Sequence, residues 1–545
     1  MNGYGEAAAR PRRVEKKLQR WWTTIEHMEQ ICDIRPKVTP VCLSEVLEGL
    51  SWDGPAEAGK VKVSGVSVST HDIDKGWVFV AIKGYSHHGI EHAAVAVRHG
   101  AVAIITDSEG ATRVGKDFPV PVITTADPRS AVAPVACAIY KNPAKDLVTA
   151  TVTGTNGKTT TTYLLRALLG VDHPHAALCG TNEVSVGQHQ IIASRTTAEA
   201  PVLQRFLASA REQNLGGAVI ETSSHALSLH RVDGICFDVA GFTNLQHDHL
   251  DYYGDMDTYF AAKAQLFTAA HAKRAVVCVD DKWGKKMAQV SQIPTVTVAA
   301  LSQSEADWQV SDIHADQESM RTVFTLTGPE GQTGQVASPV LGEVNVQNCA
   351  VTIVCGVQLG YALQDAIKAV EGAKQVPGRM QKVNPTPAPG QPLVIADYAH
   401  TPEGLDWTLK SVREMTEGKV VIVFGTDGDR DPSKREDLAE VAARRADILW
   451  VTDENPRTED PQSIRDYLIR GVKRVRPDMN NVTEITTCRR DAVRKAILNS
   501  TEGDIVMLTG KGIEWYQDIE NIKHTYSDID TAAEILERDP RREEK

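Results

Sequence analysis

The chain has 545 residues, 42% hydrophobic and 24% charged, a balance typical of a soluble protein with three or four domains. Its formal net charge of −12 disfavours non-specific binding to nucleic acid or membrane surfaces. No apolar run reaches the ~20 residues of a membrane-spanning helix. The basic N-terminus lacks the apolar segment of a secretory signal, and the nine cysteines form no Cys-x-x-Cys pair. We therefore expect a cytoplasmic protein without a zinc ribbon or disulfide scaffold, and without nucleic-acid partners or membrane insertion.

From about residue 40 to residue 146, short strand and helix signals alternate, as in an α/β domain. Residues 14–31 have helical periodicity and predict a helix within an N-terminal extension, residues 1–35. Strands are predicted at Val61–Val68, Trp77–Ile82 and Ala101–Thr106, and a helix at Ser130–Tyr140. This pattern predicts an N-terminal α/β domain over residues 1–146.

Two further α/β domains are predicted. A β-branched strand, Leu147–Thr153, leads through a glycine turn into an apolar-periodic helix that ends near Leu169. Val376-Pro377-Gly378 is typical of a linker, which gives a central domain of residues 147–376 and a C-terminal domain of residues 377–545. The C-terminal strands are predicted at Pro392–Ala396, Lys419–Phe424, Ile448–Thr452 and Asp504–Thr509.

The glycine turn of the central domain is the strongest local signal for a ligand site. Its residues are Gly154, Thr155, Asn156, Gly157, Lys158, Thr159 and Thr160. A strand, a glycine loop and a helix in this order bind phosphate, because loop N–H groups and the positive helix end face the anion. Lys158 is placed to reach the β- and γ-phosphates, and the Thr159 hydroxyl to bind Mg²⁺. Val152 stands where the Walker A pattern has its first glycine, so a tight turn with a solvent-facing lysine is the alternative.

A nucleotide-bound metal also needs a carboxylate ligand. Ala218–Glu221 is an apolar strand that ends in an acid, and strands of open α/β sheets end at the ligand crevice. We therefore predict that Glu221 binds Mg²⁺. The loop Asn244–Asp251 gathers carboxylates and imidazoles, and it fits a metal site or a capped turn equally well.

Eight motifs occur in the order that is typical of the Mur ligases, and the chain resembles that family over roughly residues 60–530. They are Gly154–Thr160 (GTNGKTT), Glu221–His225 (ETSSH), Asn244–Asp251 (NLQHDHLD), Tyr259–Lys263 (YFAAK), Gly342–Asn348 (GEVNVQN), Pro377–Met380 (PGRM), Asp397–Pro402 (DYAHTP) and Gly510–Gly512 (GKG). The resemblance implies an α/β fold of three domains, with a central P-loop ATPase domain on a parallel sheet and a Rossmann-like C-terminal domain. It also implies an ATP-dependent amide ligase of peptidoglycan precursor synthesis. Gly428–Asp431, Glu454–Arg457 and Gly510–Gln517 resemble the branch that adds the third residue to UDP-N-acetylmuramoyl-L-alanyl-D-glutamate.

The same resemblance implies roles at the nucleotide site. Lys158, Thr159 and Glu221 match the ATP and Mg²⁺ site, and His249 matches a metal-binding histidine. Lys263 matches a lysine that CO₂ converts to N6-carboxylysine, an anion that can support a second metal ion; an ordinary helix lysine is the alternative. The remaining nucleotide contacts implied are Asn345 for adenine, Arg379 for phosphate, and Asp397 and His400 for ribose and phosphates.

For the UDP-muramoyl peptide, the resemblance implies contacts from Thr196, Thr197 and Ser224. Ser69 and Lys83 fall where the uridine-diphosphate loop is expected. The chain departs from the family there, because Val68-Ser69-Thr70-His71 replaces the usual Asp-Ser-Arg. The individual UDP contacts therefore stay open.

The amino acid that is added is expected to be meso-2,6-diaminopimelate. The residues implied in its binding are Arg435, Asn455, Arg457, Gly510 and Glu514. An arginine can bind the distal carboxylate of diaminopimelate with two hydrogen bonds, which L-lysine cannot accept. Glu454 and Ile513 replace the usual Asp and His of this branch, which leaves L-lysine or another diamino acid open.

The implied chemistry is an attack of the D-glutamyl carboxylate on ATP, followed by an attack of the amine on the acyl phosphate. No residue identifies itself as the base that deprotonates the amine. The alternatives are a folylpolyglutamate-synthase-like ligase, a P-loop NTPase without ligase activity and a degenerate ligase that serves as a scaffold. We expect small-molecule substrates and a monomer.

Overall fold

In a computed structural model, the structure describes residues 34–84, 87–115, 117–193, 195–316, 319, 321–539 and 541. The helix predicted over residues 14–31 lies outside them. The described chain forms α/β units around three main sheets, which confirms the predicted fold class. Within these residues, no helix is both long and apolar enough to cross a membrane.

The N-terminal unit contains a five-stranded sheet. Its strands, in spatial order, are Trp52–Asp53, Val122–Thr125, Ala101–Thr106, Trp77–Val80 and Gly65–Ser67, and only the first is antiparallel to its neighbour. The helices of this unit are Leu43–Val46, Ala93–Arg98, Ser108–Val114 and Pro128–Tyr140. The prediction of a single strand over Val61–Val68 is wrong in one respect. Lys62–Val63 pairs with Val41–Cys42 in a separate ribbon, because the chain changes partner at Ser64, whose N–H donates to the Gly76 carbonyl.

The central unit contains an eleven-stranded sheet. In spatial order its strands are His189–Ile192, Glu183–Val186, Ala177–Cys179, Gly217–Glu221, Val148–Thr153, Val239–Phe242, Ala275–Cys278, Thr295–Ala299, Trp308–Asp316, Arg321–Thr327 and Thr333–Ser338. The strands from Ala177–Cys179 through Trp308–Asp316 are parallel. The helices are Lys158–Leu169, Ala200–Glu212, Ser224–Ser228, Leu250–Tyr253, Met256–Ala264, Lys282–Val290, Glu343–Leu359 and Leu363–Glu371.

Both faces of the central sheet are buried, as parallel sheets require. Along one strand, Val219 packs into one apolar cluster, whereas its neighbours Ala218 and Ile220 pack into the cluster on the other side. The carboxyl ends of the parallel strands therefore open at one edge, where loops meet the starts of the helices.

The C-terminal unit contains a six-stranded sheet. In spatial order its strands are Gln381–Lys382, Leu393–Asp397, Ile505–Thr509, Val420–Phe424, Ile448–Val451 and Val482–Glu484, all parallel except the first. The helices are Pro402–Arg413, Ser433–Arg445, Pro461–Val475, Arg489–Leu498 and Asp528–Glu537, and a hairpin joins Tyr516–Ile519 to Ile522–Thr525. The four strands predicted here are confirmed within one residue at each end.

Candidate active site

The phosphate loop, residues 154–157, precedes the helix Lys158–Leu169. Gly157 has a φ of +88°, and a Cβ at this position would lie 2.2 Å from Asn348 Oδ1. The same Asn348 oxygen accepts a hydrogen bond from the Thr161 hydroxyl at 3.3 Å. A helix start carries partial positive charge on its free N–H groups. The loop therefore has the geometry of an anion-binding surface.

Glu221 lies at the end of its strand and directs its carboxylate at the start of this helix. The carboxylate accepts hydrogen bonds from the Thr159 hydroxyl at 3.1 Å and from the N–H and hydroxyl of Thr181, each at 2.9 Å. The Glu221 side chain is buried. Thr159 and Glu221 together present hydroxyl and carboxylate oxygens, the ligand chemistry that Mg²⁺ prefers. Sequence reasoning missed Thr181, which only the order of the strands brings beside Glu221.

Arg379 brings the C-terminal unit to the phosphate loop. Its Nη2 donates to Thr159 Oγ1 at 3.3 Å, and its guanidinium lies 4.4 Å above the ring of Tyr398. Nearby, Asn182 Nδ2 donates to the Pro377 carbonyl at 2.8 Å. A cation from the C-terminal unit therefore lies within contact distance of the predicted metal and phosphate site.

The side-chain nitrogens of two lysines share the carbonyl oxygen of Gly154. Lys158 Nζ donates to this oxygen at 3.2 Å and to the Thr155 carbonyl at 2.9 Å, and Lys263 Nζ donates to the Gly154 carbonyl at 2.7 Å. Lys263 is buried and forms no ion pair with any residue the structure describes. Burial, together with the neighbouring positive charge of Lys158, places the pKa of Lys263 well below its ordinary value. A neutral amine is therefore favoured at this position.

Two histidines of the central unit, His249 and His225, lie close enough to Lys263 for its charge to affect their pKa values. The ring centroids of His249 and His225 are 4.9 Å apart, and Asp248 Oδ2 lies 3.4 Å from His249 Nε2. Burial lowers the pKa of both imidazoles. Neutral imidazole is the form that binds metal. Within the described chain, however, no three His, Cys, Asp or Glu side chains form a ready metal cluster.

Asparagine side chains from two other segments of the central unit form a hydrogen-bond network around the phosphate loop. Asn345 Nδ2 donates to the Leu341 carbonyl at 2.6 Å, and its oxygen accepts from Asn348 Nδ2 at 2.8 Å. Asn244 Oδ1 accepts the Asn156 N–H at 3.0 Å. Asn244 and Asn348 had no predicted role, although both lie in motifs that the sequence singled out.

Asp397 and His400 stand at the carboxyl end of the first parallel strand of the C-terminal sheet. The Asp397 carboxylate accepts the backbone N–H groups of Met380 at 2.8 Å and Ala399 at 2.9 Å. His400 Nδ1 lies 2.9 Å from the Tyr398 carbonyl. Asp397 thus anchors the loop that carries Arg379.

The residues predicted to bind the muramoyl peptide fall into two groups. Thr197 Oγ1 donates to the Glu221 carbonyl at 2.7 Å, and Thr196 Oγ1 accepts from the Thr181 hydroxyl at 3.1 Å, so both lie at the metal and phosphate site. Ser224 is buried at the start of the following helix. Ser69 and Lys83 belong to the N-terminal unit instead. Lys83 forms an ion pair with Glu109 at 2.8 Å, and the Ser69 N–H donates to Ser67 Oγ at 3.1 Å.

The C-terminal pocket gathers the residues predicted to bind the amino acid. Asn455 Nδ2 donates to Glu514 Oε2 and to Asp427 Oδ1, both at 2.9 Å. Lys511 Nζ donates to Asn455 Oδ1 at 3.0 Å and to Glu514 Oε2 at 2.8 Å. Arg457 Nη2 donates to Asp427 Oδ2 at 2.7 Å. Lys511 and Asp427 complete this network without having been predicted.

Arg435 contacts that network only at the main chain of Asp427. Its two terminal nitrogens each donate to the Glu459 carboxylate at 2.8 Å, and Nη2 also donates to the Asp427 carbonyl at 3.1 Å. Glu459 therefore pairs with Arg435 and not with Arg457. Gly510, with a φ of +101°, packs against Glu454, since a Cβ there would lie 2.3 Å from Glu454 Oε2.

Comparison with known proteins agrees with this arrangement. The Mur ligase middle domain matches residues 152–356, and the Mur ligase glutamate ligase domain matches residues 378–512. A UDP-N-acetylmuramyl-tripeptide synthetase of Leifsonia xyli is 41% identical over 92% of this chain and 96% of its own. A UDP-N-acetylmuramoyl-L-alanyl-D-glutamate–2,6-diaminopimelate ligase of Streptomyces coelicolor is 35% identical over 93% of this chain and 98% of its own. A solved structure with the latter enzyme name has 28% identity and a TM-score of 0.64, and the match covers 92% of this chain and 99% of that one. The chain belongs to the Mur ligase family of ATP-dependent ligases.

Proposed function

We propose that the protein joins meso-2,6-diaminopimelate to UDP-N-acetylmuramoyl-L-alanyl-D-glutamate, with cleavage of ATP to ADP and phosphate. The observation that carries the proposal is the contact of Arg379 with Thr159, which brings the C-terminal unit onto the phosphate loop. The loop of Arg379 also abuts the amino-acid pocket, since a Cβ on Gly378 would lie 2.7 Å from the Ile513 nitrogen. Nucleotide and amino acid would therefore meet in one crevice.

The reaction needs an activated carboxyl group, because oxide is a poor leaving group. The D-glutamyl carboxylate attacks the γ-phosphorus of ATP, which forms an acyl phosphate and releases ADP. The amine then attacks the acyl carbon, and the tetrahedral intermediate releases phosphate. Lys158, Arg379 and the loop N–H groups would neutralise the charge on the transferring phosphoryl group. No residue is assigned as the base that takes the proton from the amine.

Magnesium fits the oxygen donors at the start of the phosphate-loop helix. Thr159 and Glu221 would hold the ion, since hydroxyl and carboxylate oxygens suit it and both side chains converge there. Bound Mg²⁺ supplies positive charge to phosphate oxygens. His249 would contribute a neutral imidazole to a metal at the neighbouring loop, in keeping with its lowered pKa.

Lys263 is proposed as N6-carboxylysine. The neutral amine attacks CO₂, a nitrogen–carbon bond forms, and one proton leaves to the solvent. The lowered pKa of Lys263 favours this reactive neutral form, and its Nζ contacts the Gly154 carbonyl at 2.7 Å. The product is an anion that would offset the charge of Lys158, with which Lys263 shares the Gly154 carbonyl.

Substrate binding would use all three units, with boundaries at residues 146 and 376 as the sequence predicts. Thr196, Thr197 and Ser224 would contact the muramoyl peptide, and Ser69 and Lys83 the uridine diphosphate. Asn345, Asp397 and His400 would contact the nucleoside and phosphates of ATP. Arg435, Asn455, Arg457, Gly510 and Glu514 would receive the amino acid. An acyl phosphate hydrolyses in water, so the units would have to close around it. We propose a cytoplasmic monomer.

L-lysine is a second candidate for the added amino acid. It is favoured by one observation, namely that the guanidinium of Arg457 is already paired with Asp427. The choice between the two amino acids depends on that ion pair.

The test is an assay of phosphate release and product mass with Mg-ATP, the UDP-muramoyl dipeptide and a panel of amino acids. We expect release only when dipeptide and a diamino acid are both present. Lys158→Ala should lower kcat/KM at least about a hundredfold, because it removes a charge that stabilises the transition state. Lys60→Ala, at an exposed pair with Glu57, is the control that should leave turnover unchanged. ATP hydrolysis that needs neither other substrate would indicate a P-loop NTPase instead.

A further inference from the structure

In the amino-acid pocket of the C-terminal unit, Arg457 and Lys511 are each paired with a carboxylate of the chain. Asp427 pairs with Arg457 at 2.7 Å, and Glu514 pairs with Lys511 at 2.8 Å. Asp427 lies in the loop that follows the strand Val420–Phe424. No predicted site included it. The Arg457 guanidinium, which is expected to bind the amino acid, therefore already has a carboxylate of the chain itself.

The position of Asp427 on the guanidinium matters for the substrate. An arginine can bind a carboxylate with two hydrogen bonds through either of two edges, Nη1 with Nη2 or Nε with Nη2. Asp427 accepts its hydrogen bond from Nη2, the nitrogen that both edges share. The Nε of Arg457 is buried and has no hydrogen-bond partner within the described chain. A second carboxylate that bound Arg457 through two hydrogen bonds would have to share Nη2 with Asp427.

Asp427 is also fixed from its other side. Its Oδ1 accepts a hydrogen bond from Asn455 Nδ2 at 2.9 Å, and the Asn455 oxygen in turn accepts from Lys511 Nζ at 3.0 Å. The lysine thereby sets which end of the amide faces Asp427. The carboxylate is thus held in place by two donors, and moving it away from Arg457 would break both contacts.

The charge around Arg457 works in the same direction. Asp427 and Glu514 both have their carboxylates in this network, whereas burial next to Asp427 raises the pKa of Glu454 well above its ordinary value and favours its neutral form. These carboxylates would attract a substrate ammonium group. A substrate carboxylate would be repelled by Asp427 before it reached the guanidinium.

We propose that Asp427 is a specificity-determining residue, which competes with the distal carboxylate of the incoming amino acid for Arg457. Asp427 thereby favours diamino acids that end in an ammonium group without a carboxylate beside it. The inference rests on the proposed ligase function. A comparison of L-lysine with diaminopimelate tests this contact alone, because lysine is diaminopimelate without its distal carboxylate.

The experiment measures kcat/KM for meso-diaminopimelate and for L-lysine with saturating Mg-ATP and UDP-muramoyl dipeptide. The full-length wild type is compared with Asp427→Ala and with Asp427→Asn, which keeps the shape and an acceptor for Asn455. We expect the ratio of kcat/KM for diaminopimelate to kcat/KM for lysine to rise at least about tenfold in both variants. Asp406→Asn removes a carboxylate from a surface ion pair with Arg445 and should leave the ratio unchanged.

A double-mutant cycle tests whether Asp427 acts through Arg457. In an Arg457→Ala background, Asp427→Ala should no longer raise the ratio, because the contested guanidinium is gone. An unchanged or lowered ratio in the single variants, including an equal loss of turnover with both amino acids, would overturn the inference while the ligase activity stood. A wild type that joins neither amino acid to the dipeptide would overturn the proposed function itself.

Discussion

At the scale of single residues, the protein buries several ionisable groups whose environments differ. Glu454 is buried, and burial together with the neighbouring charge of Asp427 raises its pKa well above the ordinary value of 4.5. Glu459 shows the opposite case, because hydrogen bonds from Arg435 lower its pKa. Two glutamates five positions apart thus respond to pH in opposite ways.

This difference predicts opposite effects of pH on stability. The folded state keeps a proton on Glu454 that the unfolded chain loses, so wild-type stability should fall as pH rises above about 4.5 toward the raised pKa. Glu454→Gln removes this loss, and its melting temperature should exceed that of the wild type by a margin that grows with pH.

The control is Glu459→Gln, in which the sign is reversed. Because the pKa of Glu459 is lower in the folded than in the unfolded chain, its ionised carboxylate stabilises the fold at pH values above the unfolded-state pKa. This stabilisation is lost as the pH falls through the folded-state pKa. The variant should therefore fall below the wild type as pH rises. Thermal melts from pH 4 to pH 8 measure both, and parallel profiles for Glu454→Gln and the wild type would contradict the assignment.

At the scale of elements, the phosphate loop depends on close packing between two helices. Gly157 precedes the helix Lys158–Leu169 and contacts Asn348 of the helix Glu343–Leu359. The loop conformation is set by this contact as much as by the glycine itself. The sequence showed the glycine, but its partner lies 191 positions further on.

Gly157→Ala should therefore impair nucleotide use more than backbone strain alone explains. A left-handed conformation costs an alanine about 1–2 kcal/mol, and here the added methyl would also lie 2.2 Å from Asn348 Oδ1. Gly49→Ala is the matched control, with a φ of +80° and no atom within 4 Å of the added Cβ. Phosphate release at varied ATP should show a raised KM only for Gly157→Ala, and equal KM values in both variants would argue against the contact.

At the scale of the whole molecule, ion pairs connect the units. Arg205, on the central helix Ala200–Glu212, donates to both carboxylate oxygens of Asp72 in the N-terminal unit, at 3.0 and 3.1 Å. Both side chains are largely buried. Lys410 and Glu343 join the C-terminal and central units at 2.8 Å, but both are well exposed.

Loss of one partner should therefore cost very different amounts in the two pairs. Asp72→Asn removes the carboxylate charge that both terminal nitrogens of the buried Arg205 contact, and it should lower the free energy of unfolding by about 3 kcal/mol. Glu343→Gln should change it by less than about 1 kcal/mol, because water screens that pair. Denaturant unfolding measures both, and comparable losses would show that burial does not govern these contacts.

Local patterns in the sequence predicted the phosphate loop, the order of the motifs and four of the six strands of the C-terminal sheet. These are local signals, because glycine turns and β-branched runs act within a few residues. The assignment of Val61–Val68 to one strand failed, because the exchange of strand partners at Ser64 has no local signal.

Which side chains meet depends on the tertiary structure. Arg379 and Thr159 are 220 positions apart, and Asp427 meets Arg457 through loops that follow neighbouring parallel strands. Such pairs depend on the order of strands in the sheet and on how the units pack, neither of which a local pattern encodes. The sequence could therefore name Arg457 as a candidate for carboxylate binding, whereas the fold alone revealed that Asp427 already occupies it.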